Sequence, residues 1–117
     1  MHWSAFISDG GVSETGSEGG TIMLDEEHDY GARITLERDS HVAPFAITCG
    51  IYGWMVHTRY FRLESSARGA FEAMKSDLDE IIVSIPFDAD PLKDQKMNAV
   101  MRALSAFVDK YPTQPVE

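Results

Sequence analysis

Hydrophobic and polar positions keep one rhythm in the first half of the chain and another in the second. In "ARITLER", Ala32, Ile34 and Leu36 alternate with Arg33, Thr35 and Glu37, the period of a half-buried antiparallel strand. "TIMLDEE" (21–27) is a short strand candidate before it. The intervening "HDYG" supplies Asp29 and Gly31 for a tight turn, so residues 21–38 read as a hairpin. Two further strands are expected at about 44–51 and 54–62, and a short first strand at 3–8 ("WSAFIS").

From residue 67 the spacing changes to three and four. Ala67, Ala70, Phe71, Met74, Leu78, Ile81, Ile82 and Ile85 form the stripe of an amphipathic helix, expected to start after Ser65 or Ser66 as N-cap and to end before Pro86. A second helix is expected from Asp90-Pro91, an acidic cap followed by proline at the first helical position, with Met97, Val100, Met101, Leu104, Phe107, Val108 and Tyr111 as its stripe; Pro112 and Pro115 stop it. Strands first and helices last, without β-α-β alternation, give an α+β class: an antiparallel four- to five-stranded meander with two C-terminal α-helices packed on one of its faces. The methionines at 74, 97 and 101 read as core filling. Trp3 and Phe6 need burial on the sheet or across a dimer contact.

A chain of 117 residues, 44% hydrophobic and 25% charged, reads as one globular domain spanning 1–117. Residues 9–20 hold five of the nine glycines among Ser, Thr and acids and read as a flexible loop, with 112–117 as a short tail. No stretch approaches the roughly 20 apolar residues of a membrane span. The first residues lack the n- and h-regions of a secretory signal, and a single cysteine, Cys49, forms no internal disulfide, so a cytoplasmic location is expected. The net charge is −9, and seven carboxylates precede the first basic residue, Arg33. Such a field repels phosphate backbones and anionic lipid, which excludes nucleic acid and membrane surfaces as expected partners and favours a basic protein.

Within "ITCGIYGWMVHTRYF" (47–61), the register of the hairpin at Tyr52-Gly53 decides which residues share a face. With a two-residue loop, Ile51 faces Trp54, Cys49 faces Val56 and Thr48 faces His57. Cys49 then lies in the core, while His57 and Arg59 share the opposite face with Thr48, Arg33, Thr35 and Glu37 as a polar ligand or partner surface. If Gly53 is instead a bulge residue, the register slips by one, Cys49 faces Met55 and His57 joins the cysteine face. The cleaner separation of polar from apolar side chains favours the first register.

"DEEHDY" (25–30) gathers Asp25, Glu26, Glu27 and Asp29 around His28. Its spacing matches no ordered calcium loop, so it reads as a solvated acidic turn and an acidic patch, and no metal site is expected. "GIYG" formally fits the G-x-x-G of single-strand nucleic-acid binders but joins strands in an acidic chain. Phosphate-binding, hydrolase, zinc-protease and C-x-x-C signatures are absent, which argues against an enzyme and gives no reason to expect a cofactor. The leading expectation is a small acidic interaction or regulatory domain, of the inhibitor or immunity kind, for a protein partner. The alternatives are a small-molecule binder or minor enzyme using His57 and Arg59, and a self-associating homodimer that hides its bare sheet face.

Overall fold

A computed structural model describes residues 2–6 and 15–113, so part of the 9–20 segment and of the C-terminal tail lies outside the described residues. Five strands, β1 (Trp3–Ala5), β2 (Thr21–His28), β3 (Ala32–Arg38), β4 (Phe45–Ile51) and β5 (Met55–Phe61), form one antiparallel sheet in sequence order. Two helices follow, α1 (Glu64–Val83) and α2 (Lys93–Lys110). The class is α+β, as the change of period predicts. β2 to β5 pair consecutively because their connections are short, and a short connection returns the chain antiparallel beside itself, whereas β1 pairs with β2 across the fifteen residues 6–20.

α1 lies across β3, β4 and β5 and seats Ala67, Phe71, Met74, Leu78, Ile81 and Ile82 on Ala32, Ile34, Leu36, Ile47, Cys49 and Ile51. α2 packs beside α1 through Val100, Leu104 and Phe107, whereas Met101 and Val108 of its expected stripe stay exposed. The contact between the helices is fastened by Asp77, which accepts from the Tyr111 hydroxyl (2.5 Å) and from Lys110 (2.9 Å). Burial pushes the Asp77 pKa up, but these two donors outweigh it and hold the carboxyl below its ordinary range.

Both helices begin elsewhere than the capping signals suggest. α1 starts at Glu64, with two residues between it and β5, so Ser65 and Ser66 fall inside its first turn and Leu63 precedes it without a side-chain cap. Glu64 suits that position, since a carboxylate complements the helix dipole there, and it bonds Arg68 at 2.7 Å. Asp90 does act as a cap, but of a separate turn: its Oδ1 accepts from the Leu92 amide (2.8 Å), and α2 begins only at Lys93.

The β4–β5 register is not the two-residue one. Gly53 has φ 81°, the Trp54 amide donates to the Ile51 carbonyl, and Ile51 pairs with Met55 across a three-residue connection. Cys49 therefore pairs with His57, Thr48 with Thr58 and Ile47 with Arg59. The extra loop residue shifts β5 by one position, and the period-two geometry of a strand then moves every β5 side chain to the other face. His57 and Arg59 join Cys49 under the helices, and Val56 turns outward, 81% exposed.

Cys49 itself is buried, 2% exposed, and burial pushes its thiol up to about 12. Alkylation of the native protein at neutral pH is therefore expected to run about a thousandfold slower than in urea, because the thiolate is the reactive form. Equal rates in both conditions would contradict the burial.

Candidate functional site

Two polar systems lie on opposite faces of the sheet. On the helix-covered face His28 is fully buried at the end of β2. Its Nδ1 accepts from the Tyr30 amide (3.0 Å), so its Nε2–H is the donor to Asp79 of α1 (2.6 Å). Beside it Lys75, buried on α1, pairs with Glu26 at 2.8 Å, and the Trp3 indole donates to the Lys75 carbonyl (3.2 Å). Burial alone lowers the Lys75 pKa, yet Glu26 and Glu72 outweigh it and the net shift is upward. These contacts attach the β1–β2 edge to α1.

The "DEEHDY" run is accordingly not a solvated turn. Strand alternation splits it: Glu26 and His28 face α1, while Asp25 and Glu27 face the other side, where Asp25 takes a bidentate pair from Arg33 (2.9 and 2.6 Å) and Glu27 accepts from the Tyr52 hydroxyl (3.5 Å). Asp29, in the turn, lies 3.6 Å from His2.

The five residues expected to form one surface are likewise divided. His57, 9% exposed, places Nε2 on the Tyr111 carbonyl, with its ring edge-on to Phe107. Arg59 reaches the Lys110 carbonyl at 3.4 Å and lies over the Phe61 and Tyr111 rings. Both hold the C-terminal end of α2 against β5. Carbonyls at a helix C-terminus lack intrahelical partners, and these two donors supply them.

Arg33, Glu37 and Thr48 share the uncovered face, through the pairs Arg33–Gly50, Thr35–Thr48 and Glu37–Ala46. There the chain from Thr15 to Gly20 folds back over the sheet. Glu37, fully buried, accepts from the Gly20 amide (2.7 Å) and the Glu18 amide (3.3 Å). Glu18 in turn accepts from the Tyr60 hydroxyl, which raises the Tyr60 pKa to about 12. Ser17 meets Thr48, and Thr48 meets Thr58, each at 3.2 Å. The glycines of this segment have a steric purpose at two places: a Cβ on Gly16 would sit 2.3 Å from a Glu37 carboxylate oxygen, and one on Gly20 would sit 2.2 Å from the Arg38 carbonyl.

Between this folded segment and the β4–β5 turn the uncovered face opens into a cleft of about 750 Å³. Arg33, Thr35, Thr48 and Gly50 form part of its floor, and Tyr52, Trp54 and Val56 stand toward the turn. At Gly50 a side chain would press on the Met55 carbonyl at 2.9 Å and fill part of the floor. Among the described residues Arg33 is the charged side chain in the cleft lining, and it is paired with Asp25; Glu18, Glu27 and Glu37 lie outside the lining, engaged by Tyr60, Tyr52 and backbone amides. Tyr52, Trp54, Val56 and Ser17 are cleft residues that the sequence did not single out, because their place depends on the shifted register and on the return of the 15–20 segment.

The site thus belongs to a two-layer α+β protein with helices on one face and a cleft lined by hydroxyls, aromatic rings and Arg33 on the other. No protein-family model, curated protein or solved structure matches this chain. Among the described residues no helix is long and apolar enough to cross a membrane.

Proposed function

We propose that this protein is a non-catalytic binding domain that docks a basic, extended segment of a protein partner on the uncovered face of its sheet. The observation that carries this reading is the cleft: it offers the hydroxyls of Ser17, Thr35 and Thr48 and the rings of Tyr52 and Trp54 on a sheet face that no helix covers, in a chain whose net charge is −9. Small ligands are mostly enclosed by their sites, whereas an open groove on a sheet suits a chain laid across it. The net charge of −9 favours encounter with a basic partner. A site that uses His57 as acid or base with Arg59 orienting an anion has less support, since His57 bonds the Tyr111 carbonyl and Arg59 reaches the Lys110 carbonyl.

The test is an NMR titration with a synthetic peptide alternating lysine and valine. Amide shifts are expected to concentrate at Thr35, Thr48, Gly50 and Val56 and to fade as salt is raised. Glu27→Gln is expected to weaken binding about threefold, in line with one exposed charge pair. Shifts confined to the outer surfaces of α1 and α2, or affinity indifferent to salt, would refute the proposal.

A further inference from the structure

We infer that the hollow over Gly50 is the specificity pocket of the cleft and takes one large apolar side chain of the docked segment; this rests on the docking reading above and adds which side chain the face selects. On the uncovered face β4 presents Ala46, Thr48 and Gly50 in turn, each at the middle of a cross-strand row. The first row, Glu37–Ala46–Tyr60, is crossed by the 15–20 segment, which bonds Glu37 and Tyr60 and leaves Ala46 fully buried. In the second, Thr35–Thr48–Thr58, the Thr48 hydroxyl bonds both Thr58 and Ser17. The third, Arg33–Gly50–Val56, carries no side chain at its centre.

Backbone freedom does not explain the glycine in β4. The left-handed φ values belong to Gly19, Gly31 and Gly53, not to Gly50, whose ladders with β3 and β5 run without a break. A glycine inside a strand weakens it and marks a place where another group approaches closely. Without a side chain there, Arg33 and Val56 stand two strand spacings apart, about 9.6 Å, with room for one side chain between them. A Cβ at Gly50 would meet the Met55 carbonyl at 2.9 Å and a Val56 methyl at 3.5 Å, so even alanine fills the bottom of the hollow.

The walls set the chemistry of the occupant. Among the described residues Arg33 alone in the lining is charged, and its charge is engaged: Asp25 takes two hydrogen bonds from it, and its guanidinium lies 3.8 Å from the centre of the Phe6 ring. Tyr52 and Val56, both exposed, and Trp54 add ring faces and methyls at the turn end. A lysine lowered into this hollow gives up water and meets no carboxylate of the lining, whereas an apolar side chain covers apolar surface without that cost. Alternate side chains of an extended segment face the sheet. The residue over Gly50 is therefore the anchor, and the basic residues on either side of it point to solvent.

The alternating lysine–valine peptide, made with alanine, leucine or phenylalanine in place of its central valine and titrated by NMR, tests the pocket. Affinity is expected to rise about tenfold from alanine to phenylalanine, with the largest shifts at Gly50 and Val56. Gly50→Ala is expected to cut that rise to about twofold by filling the floor, while the alanine peptide binds as before. Val56→Ser removes an apolar wall at an exposed position, keeps the circular dichroism of the wild type, and is expected to leave a rise of about threefold; it decides alone if Gly50→Ala does not fold. Equal affinity for the alanine and phenylalanine peptides, with shifts still in the cleft and still fading with salt, overturns the pocket and leaves the docking reading standing. The full rise in a folded Val56→Ser variant overturns the pocket as well, and the absence of cleft shifts with every peptide overturns both readings.

Discussion

Replacing Glu37 with alanine is expected to cost about 3 kcal/mol of stability and to release the 15–20 segment from the sheet. The carboxylate is fully buried and accepts from two backbone amides, at 2.7 and 3.3 Å. Hydrogen bonds to a charged group contribute roughly 1.5–3 kcal/mol each, and part of the loss is recovered when the freed amides swing into water. The melting temperature should fall by about 10 °C. Glu37→Gln, which keeps one acceptor oxygen, should lose about half as much. Since Gly16 and Ser17 wall the cleft, the alanine variant should also lose the peptide-induced shift at Thr48. A variant within about 0.5 kcal/mol of wild type, the usual range for surface positions, would show that the carboxylate does not anchor the segment.

His57→Ala is expected to cost about 2–3 kcal/mol and to loosen the end of α2. The imidazole bonds the Tyr111 carbonyl and meets the Phe107 ring at 6.3 Å between centroids; alanine leaves both the carbonyl without its partner and a cavity beside Phe107. Urea unfolding measures the loss, and faster amide exchange at Phe107 to Tyr111 locates it. A ligand-facing histidine behaves in the opposite way, with stability retained and binding lost. Stability unchanged in His57→Ala would therefore restore His57 to the exposed face and contradict the β4–β5 register.

The strands and helices were legible because each carries its own period. Ala32, Ile34 and Leu36 alternate, Phe71, Met74 and Leu78 recur at three and four, and each set was found buried. The core position of Cys49 was legible for the same reason. Its neighbour across the hairpin was not, because residues 52–54 form a connection one longer than the two-residue loop that Tyr52-Gly53 suggests; a primed two-residue turn needs a positive φ at Tyr52, and here Gly53 has it instead. The buried ion pair had a signal that periodicity alone passes over: Lys75 stands four residues after Phe71 and three before Leu78, a stripe position at which a lysine requires an acid such as Glu26.

By itself, the sequence determined the α+β class, the strand order, the apolar face of α1 and the Val100, Leu104 and Phe107 part of the face of α2, since local spacing specifies these without knowledge of distant contacts. The tertiary structure decided everything that depends on two segments meeting. It put His57 and Arg59 beneath α2, divided Asp25 and Glu27 from Glu26 and His28, and drew the 15–20 segment onto Glu37. A one-residue shift inverts the face of a strand at little local cost, so the balance falls to the burial of whole faces, a sum over many contacts that no single stretch of sequence contains.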